Sequence, residues 1–161
     1  MKENNGFFDK LLEKVEGIVN SKGNDEEKLK EICELLQRKV SHYNWVGFYL
    51  VDPSKDKELT LGPFAGEPTE HLRIPFGKGV CGQAAEKKKT IVVQDVSKEK
   101  NYLACSLKVK SEIVVPIFKN NKLVGEIDID SHQLSSFKKE DEVFLEKVSK
   151  LVANILKEKK G

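Results

Sequence analysis

Apolar residues recur at helical intervals at both ends of the chain and alternate with polar ones between. Over residues 6–20, Phe7, Leu11, Val15 and Ile18 form one stripe, which predicts a short amphipathic helix ending at the polar SKGN stretch. Asn24, with Glu27 three residues on, reads as a capping box for a second helix. Leu29, Ile32, Cys33, Leu36 and Val40 make the apolar stripe of that helix. Cys33 on that stripe is a core candidate, because a free cysteine packs as a small hydrophobe.

From Tyr43 the period drops to two. In YNWVGFYLVD, Trp45, Gly47 and Tyr49 share one face of a strand, and Val46, Phe48 and Leu50 share the other. DPSKDKE is a turn and LTLGPFAG a second strand, giving an antiparallel pair. A short strand follows over His71–Pro75, then a short helix in VCGQAAEKK and a strand in TIVVQDV. SEIVVPIFK and KLVGEIDIDS, joined by the Asn120–Asn121 turn, read as a β-hairpin. A last helix, over about 138–159, aligns Phe144, Val148, Leu151, Val152 and Ile155. This order predicts an α+β fold, an antiparallel sheet with the terminal helices on one face.

The 161 residues suit a single domain, with residues 1–41 as helices, 43–135 as sheet and loops, and 138–160 as the closing helix. Acidic and basic residues are interleaved to a net charge of +2, so no nucleic-acid footprint stands out. No apolar run is long enough to span a bilayer, and charges break up the N-terminal MKENNGFFDKLLEKVEGIV, which does not read as a signal peptide. The cysteines, Cys33, Cys81 and Cys105, are odd in number and irregularly spaced, which is no secreted disulfide framework. A cytoplasmic protein with resting thiols is the expectation.

Three places carry candidate chemistry. In GEIDIDS, Glu126, Asp128 and Asp130 share one strand face, opposite Ile127 and Ile129. A solvated polar face explains such a row, and so does a site where crowded acids raise one another's pKa. Trp45 and Tyr49 likewise suit a core or a binding wall. The glycine turn GKGVCG lacks the full spacing and Lys-Ser/Thr ending of a phosphate loop. It is better read as a turn into a helix N-terminus, where backbone N–H groups favour a Cys81 thiolate. Cys105 lies among Lys98, Lys100, Lys108 and Lys110, which favour the thiolate too. Neither CxxC nor HxxxH spacing occurs, so no metal site is expected.

NWVGFYL, LTLGPFAG, RIPFGKGVCG, the spacing from Asp95 to Cys105, LACS, SEIVVP and LVGEIDIDS together resemble the free methionine-(R)-sulfoxide reductases. The match runs from about Trp45 to the final helix. The resemblance implies a GAF fold, with helices on one face of a central antiparallel sheet and a ligand cavity on the other. It implies Cys105 as catalytic cysteine and Cys81 as the second cysteine. Glu112, Asp128 and Asp130 become substrate-binding carboxylates, with Trp45 and Tyr49 around the methylthio end. It also implies no bound cofactor, thioredoxin or another thiol as reductant, and a homodimer. The chain departs from the family at His71, where a further cysteine is frequent. Tyr102 replaces a frequent histidine, Ser106 a frequent aspartate, and Glu126 an apolar residue.

Overall fold

The computed structural model describes residues 2–55, 57–103 and 106–157. Helices α1 (Lys2–Val19) and α2 (Asp25–Lys39) precede strands β1 (Trp45–Val51), β2 (Glu58–Ala65) and β3 (Arg73–Pro75). Helix α3 (Gly79–Lys87), strand β4 (Ile91–Val93), the hairpin β5 (Ser111–Lys119) and β6 (Lys122–Ser131), and helix α4 (Lys139–Val152) complete the chain. The strands form one sheet in the order β3-β2-β1-β6-β5-β4, every neighbouring pair antiparallel.

Local signals account for most boundaries. Asn24 Oδ1 accepts the Glu27 N–H at 2.8 Å, so the expected cap starts α2. Asn120 and Asn121 turn the β5–β6 hairpin with φ of 51° and 65°, the left-handed pair that matches strand twist. Helix α4 starts where Asp141 accepts the Lys138 N–H at 2.9 Å.

Two apolar layers sandwich the sheet. On the helix side, Val46, Phe48, Ile113, Val115, Ile127 and Ile129 meet the stripes of α1, α2 and α4, including the fully buried Val15, Ile32 and Val148. Cys33 lies in this layer, its thiol facing the Pro63 carbonyl at 3.5 Å, as its place on the stripe predicts. On the other side, Trp45, Tyr49, Leu59, Ile74 and Val114 pack under α3. The alternation read from the strands therefore assigns both faces correctly.

Two helix expectations need correction. Phe7 is exposed, and Phe8 takes the inward position instead, stacking on Phe144 with ring centroids 4.5 Å apart. The last helix keeps α geometry only to Val152 and tightens into a 3₁₀ turn over Ala153–Ile155. That tightening turns Leu156 into the core, where its carbonyl accepts a hydrogen bond from Lys119 Nζ at 2.7 Å.

Candidate active site

Strand register brings the acids and aromatics to one face. Trp45 lies opposite Asp130, Gly47 opposite Asp128, and Tyr49 opposite Glu126. Across the hairpin, Glu112 lies opposite Asp130 and Val114 opposite Asp128. Residues paired this way point to the same side of a sheet. The side is the one away from α1, α2 and α4, and α3 roofs it.

The row of acids is buried. Glu112 is 5% exposed, Asp128 and Asp130 1% each, and Glu126 0%. That excludes the solvated polar face, because ordinary surface carboxylates keep their water. Both oxygens of Glu126, both of Asp130 and one of Asp128 lack a hydrogen-bond partner among the described residues. Burial pushes the Glu126 carboxyl well above the usual range, and the Asp128 charge adds to this while the Cys81 thiol opposes it. Asp130 rises well above its range through burial and the Asp128 charge, against the pull of Glu112. Burial raises Asp128 too, against Glu112 and Cys81. A cluster so placed holds protons that isolated carboxylates would release.

Cys81 stands over this cluster at the start of α3. Its Sγ lies within 4.8 Å of a carboxylate oxygen of Glu112 and of Asp128. The expected thiolate-favouring helix terminus is overridden here. Burial first, then the Asp128, Glu126 and Glu112 charges, push the thiol well above the ordinary cysteine range. The helix N-terminus contributes only partial positive charge, and burial together with three neighbouring acids outweighs it.

The aromatics form a wall beside the acids. Trp45 stacks on Phe64 with centroids 5.4 Å apart, and its Nε1 donates to the Glu67 carbonyl at 2.8 Å. A Cβ on Gly47 would lie 2.3 Å from the Trp45 ring, so glycine lets the indole lie over the strand. Tyr49 Oη donates to the His71 carbonyl at 2.9 Å and is fully buried. Among Tyr49, His71, Ile74, Cys81, Leu103 and Asp128 remains a cavity of about 10 Å³. That is room for about one water. The larger grooves, about 690 Å³ beside Lys30 and Phe64 and about 540 Å³ beside Leu50 and Val51, contain no cysteine.

A GAF domain model matches residues 25–157. The chain is 40% identical over 147 residues to GAF domain-containing protein A of Dictyostelium discoideum, covering 91% of this chain and 90% of that one. It is 39% identical over 114 residues to free methionine-R-sulfoxide reductase of Escherichia coli, covering 71% and 67%. Its structure superposes on that of free methionine-R-sulfoxide reductase from Neisseria meningitidis in complex with its substrate. The TM-score is 0.86 at 37% identity, with 92% of this chain and 87% of that one covered. The chain belongs to the GAF-domain family of the free methionine-R-sulfoxide reductases.

In this GAF domain the structure gathers Trp45, Tyr49, Cys81, Glu112, Asp128 and Asp130 around one face. Cys105, the remaining sequence-predicted site residue, lies outside the described residues. The described residues that precede it, Asn101–Leu103, are tied to the α3 turn through a contact that sequence reasoning missed. Asn101 Oδ1 accepts the Gly79 N–H at 2.9 Å, and its Nδ2 donates to the Gly77 carbonyl at 2.7 Å. Gly77 and Gly79 have φ of 90° and 64°, and a Cβ on Gly79 would lie 2.9 Å from Leu103. Both glycines are thus needed for the loop to close over α3. An asparagine 22 residues from the turn that it grips leaves no periodic signal.

Proposed function

We propose that the protein reduces free methionine-(R)-sulfoxide to methionine with electrons from thiols. The observation that carries this reading is the buried set of Glu112, Asp128 and Asp130 facing Cys81 beside Trp45 and Tyr49. Carboxylates can hold an α-ammonium, which favours a free amino acid over a peptide-bound one. A carboxyl kept neutral in the same cluster can protonate the sulfoxide oxygen. The aromatic wall offers the methylthio group an apolar contact.

In this reading Cys105 is the nucleophile. Its thiolate attacks the sulfoxide sulfur as a carboxyl protonates the oxygen. The oxygen then passes to the Cys105 sulfur, releasing methionine and leaving a sulfenic acid. The Cys81 thiol condenses with that sulfenic acid: the sulfur–sulfur bond forms, the sulfur–oxygen bond breaks, and water leaves. A thioredoxin-type dithiol then reduces the disulfide, restoring both thiols. The single domain, residues 1–161, works as a cytoplasmic homodimer without a bound cofactor. Among the described residues, no helix is long and apolar enough to cross a membrane.

The cavity of about 10 Å³ cannot take an amino acid the size of methionine sulfoxide. The Asn101–Leu103 segment therefore swings away from the α3 turn on substrate entry. The test is incubation of the pure protein with each stereoisomer of free methionine sulfoxide and dithiothreitol. Loss of the R isomer alone, with methionine appearing in equal amount, is the expected result. Binding without turnover would instead assign the domain to small-ligand sensing.

A further inference from the structure

Three donors that the reductase reading assigns to substrate binding and disulfide exchange also converge on one point. Cys81 Sγ and a carboxylate oxygen from each of Glu112 and Asp128 lie within 4.8 Å of one another, all on buried residues. One sulfur and two oxygens that close are already gathered like ligands around a single ion. Asp128 also carries a buried carboxylate oxygen with no hydrogen-bond partner among the described residues. Glu126, close to both Asp128 and Cys81, has two such oxygens. No described ion pair with lysine or arginine neutralises Glu126, Asp128 or Asp130. His71 and Lys78 line the adjoining cavity.

We propose that the reduced protein binds a thiophilic divalent cation of the zinc class between Cys81, Glu112 and Asp128. A thiolate with carboxylates suits zinc or cobalt and suits magnesium poorly, because magnesium prefers an all-oxygen octahedron. Three protein ligands leave a fourth position, which the small cavity can fill with one water. The cation removes the repulsion among the acids and takes the place of the Cys81 proton, so binding releases protons to solvent. Where the same carboxylates hold the substrate ammonium, as the reductase reading has it, cation and substrate exclude one another. The metal-bound protein is then a resting form, protected from turnover and from oxidation at Cys81.

Cobalt titration of the metal-free, phosphine-reduced protein tests this directly. Cobalt should bind with one equivalent per chain, giving a near-ultraviolet thiolate-to-cobalt band and the intense visible bands of four-coordination. The bands should persist in Cys33→Ser and Cys105→Ser, disappear in Cys81→Ser, and yield to added zinc. Glu112→Gln, whose fold is checked by circular dichroism, should weaken binding as the loss of a ligand, and Glu126→Gln should weaken it by roughly 10- to 100-fold, as for an outer-shell partner. Free methionine-(R)-sulfoxide should raise the apparent Kd for cobalt. Absence of a thiolate band, or a band unchanged in Cys81→Ser, overturns the site. An apparent Kd indifferent to the sulfoxide overturns the exclusion. Turnover of chelator-treated protein with dithiothreitol is measured separately, so failure of the reductase reading is seen apart from failure of the metal site.

Discussion

Tyr49 and Glu126 stand opposite each other on adjacent strands of the sheet, both fully buried; the tyrosine hydroxyl donates to the His71 carbonyl, whereas neither Glu126 oxygen has a hydrogen-bond partner among the described residues. Burial and the Asp128 charge push the Glu126 carboxyl well above the usual range, which favours its protonated form. Burying a polar group without a hydrogen bond costs about 1–3 kcal/mol. Glu126→Leu should therefore stabilise the fold by about that amount, read from the urea midpoint. The pH dependence has a definite sign. The folded carboxyl stays protonated at pH values where the unfolded one ionises, so the native state binds more protons and stability falls as pH rises. As pH rises above the unfolded glutamate value the wild type should lose stability, and the variant should lose less. A variant less stable than the wild type at the upper pH would show that Glu126 has a partner.

The other three acids should behave differently. Asp128→Asn, Asp130→Asn and Glu112→Gln each remove charge and proton supply from the face on which the substrate is proposed to sit. Removing a general acid costs about 10²–10⁴-fold in rate. The acid that donates the proton should lose kcat on that scale, and the acids that hold the ammonium should show mainly a raised KM. Glu126→Gln should do much less to either constant. The proposal fails if Glu126 is the only acid whose loss slows the reaction.

What the sequence makes legible follows from periodicity. Alternation in WVGFYLV and GEIDIDS places Val46, Phe48, Ile127 and Ile129 under the helices and leaves the acids and Trp45 on the far side. Periodicity cannot say whether that far side is wet, because a roof such as α3 is a tertiary feature. Burial of the acids, and with it the reversal of the Cys81 pKa, therefore emerges only from the fold. Glu112 sits in an otherwise apolar strand and stands out only by family resemblance. Asn101 and Asp141 act across long separations, 22 and 98 residues, so no local pattern marks them.

Asp141 anchors α4 to the segment entering β1. One carboxylate oxygen accepts from Tyr43 Oη at 2.7 Å and lies 2.8 Å from His42 Nε2, and the other accepts the Lys138 N–H at 2.9 Å. Burial works to raise this carboxyl, but His42, Lys138 and Tyr43 outweigh it and hold it below the usual range. Its contribution is present above the unfolded aspartate pKa and is lost as pH falls through the lowered native value. Asp141→Asn should cost about 1–3 kcal/mol near neutrality. It should also flatten the acid limb of a stability–pH curve. An acid limb identical to the wild type would remove Asp141 from this role.

Asn101 should control access to the site. Asn101→Ala removes both hydrogen bonds that tie its loop to the glycine turn, each worth about 0.5–1.5 kcal/mol. The loop should then open more often, with faster proteolytic cleavage over residues 99–110 and almost unchanged global stability. If loop closure also orders the reacting groups, kcat should fall as entry becomes easier. Cleavage at the wild-type rate would show that the clamp does not hold the loop.

The proposed couple of Cys81 and Cys105 makes the sharpest demand on motion. Cys81 is buried on α3 beneath the Asn101–Leu103 segment, and its thiol holds its proton tightly. It should resist alkylation at neutral pH until the loop opens or the cluster is filled. Cys105 follows that segment, and a disulfide requires Cα atoms within about 7 Å. One equivalent of methionine-(R)-sulfoxide, followed by peptide mapping without reduction, should reveal a Cys81–Cys105 link. Cys105→Ser should form no methionine in a single turnover, and Cys33→Ser should keep full activity. Cys81→Ser should form methionine once and stop with a sulfenic acid on Cys105, since the remaining cysteine, Cys33, is buried in the helix-side core. Sustained turnover of Cys81→Ser with thioredoxin as the only reductant would show that the external dithiol attacks the sulfenic acid directly, and that this chain recycles without an internal disulfide.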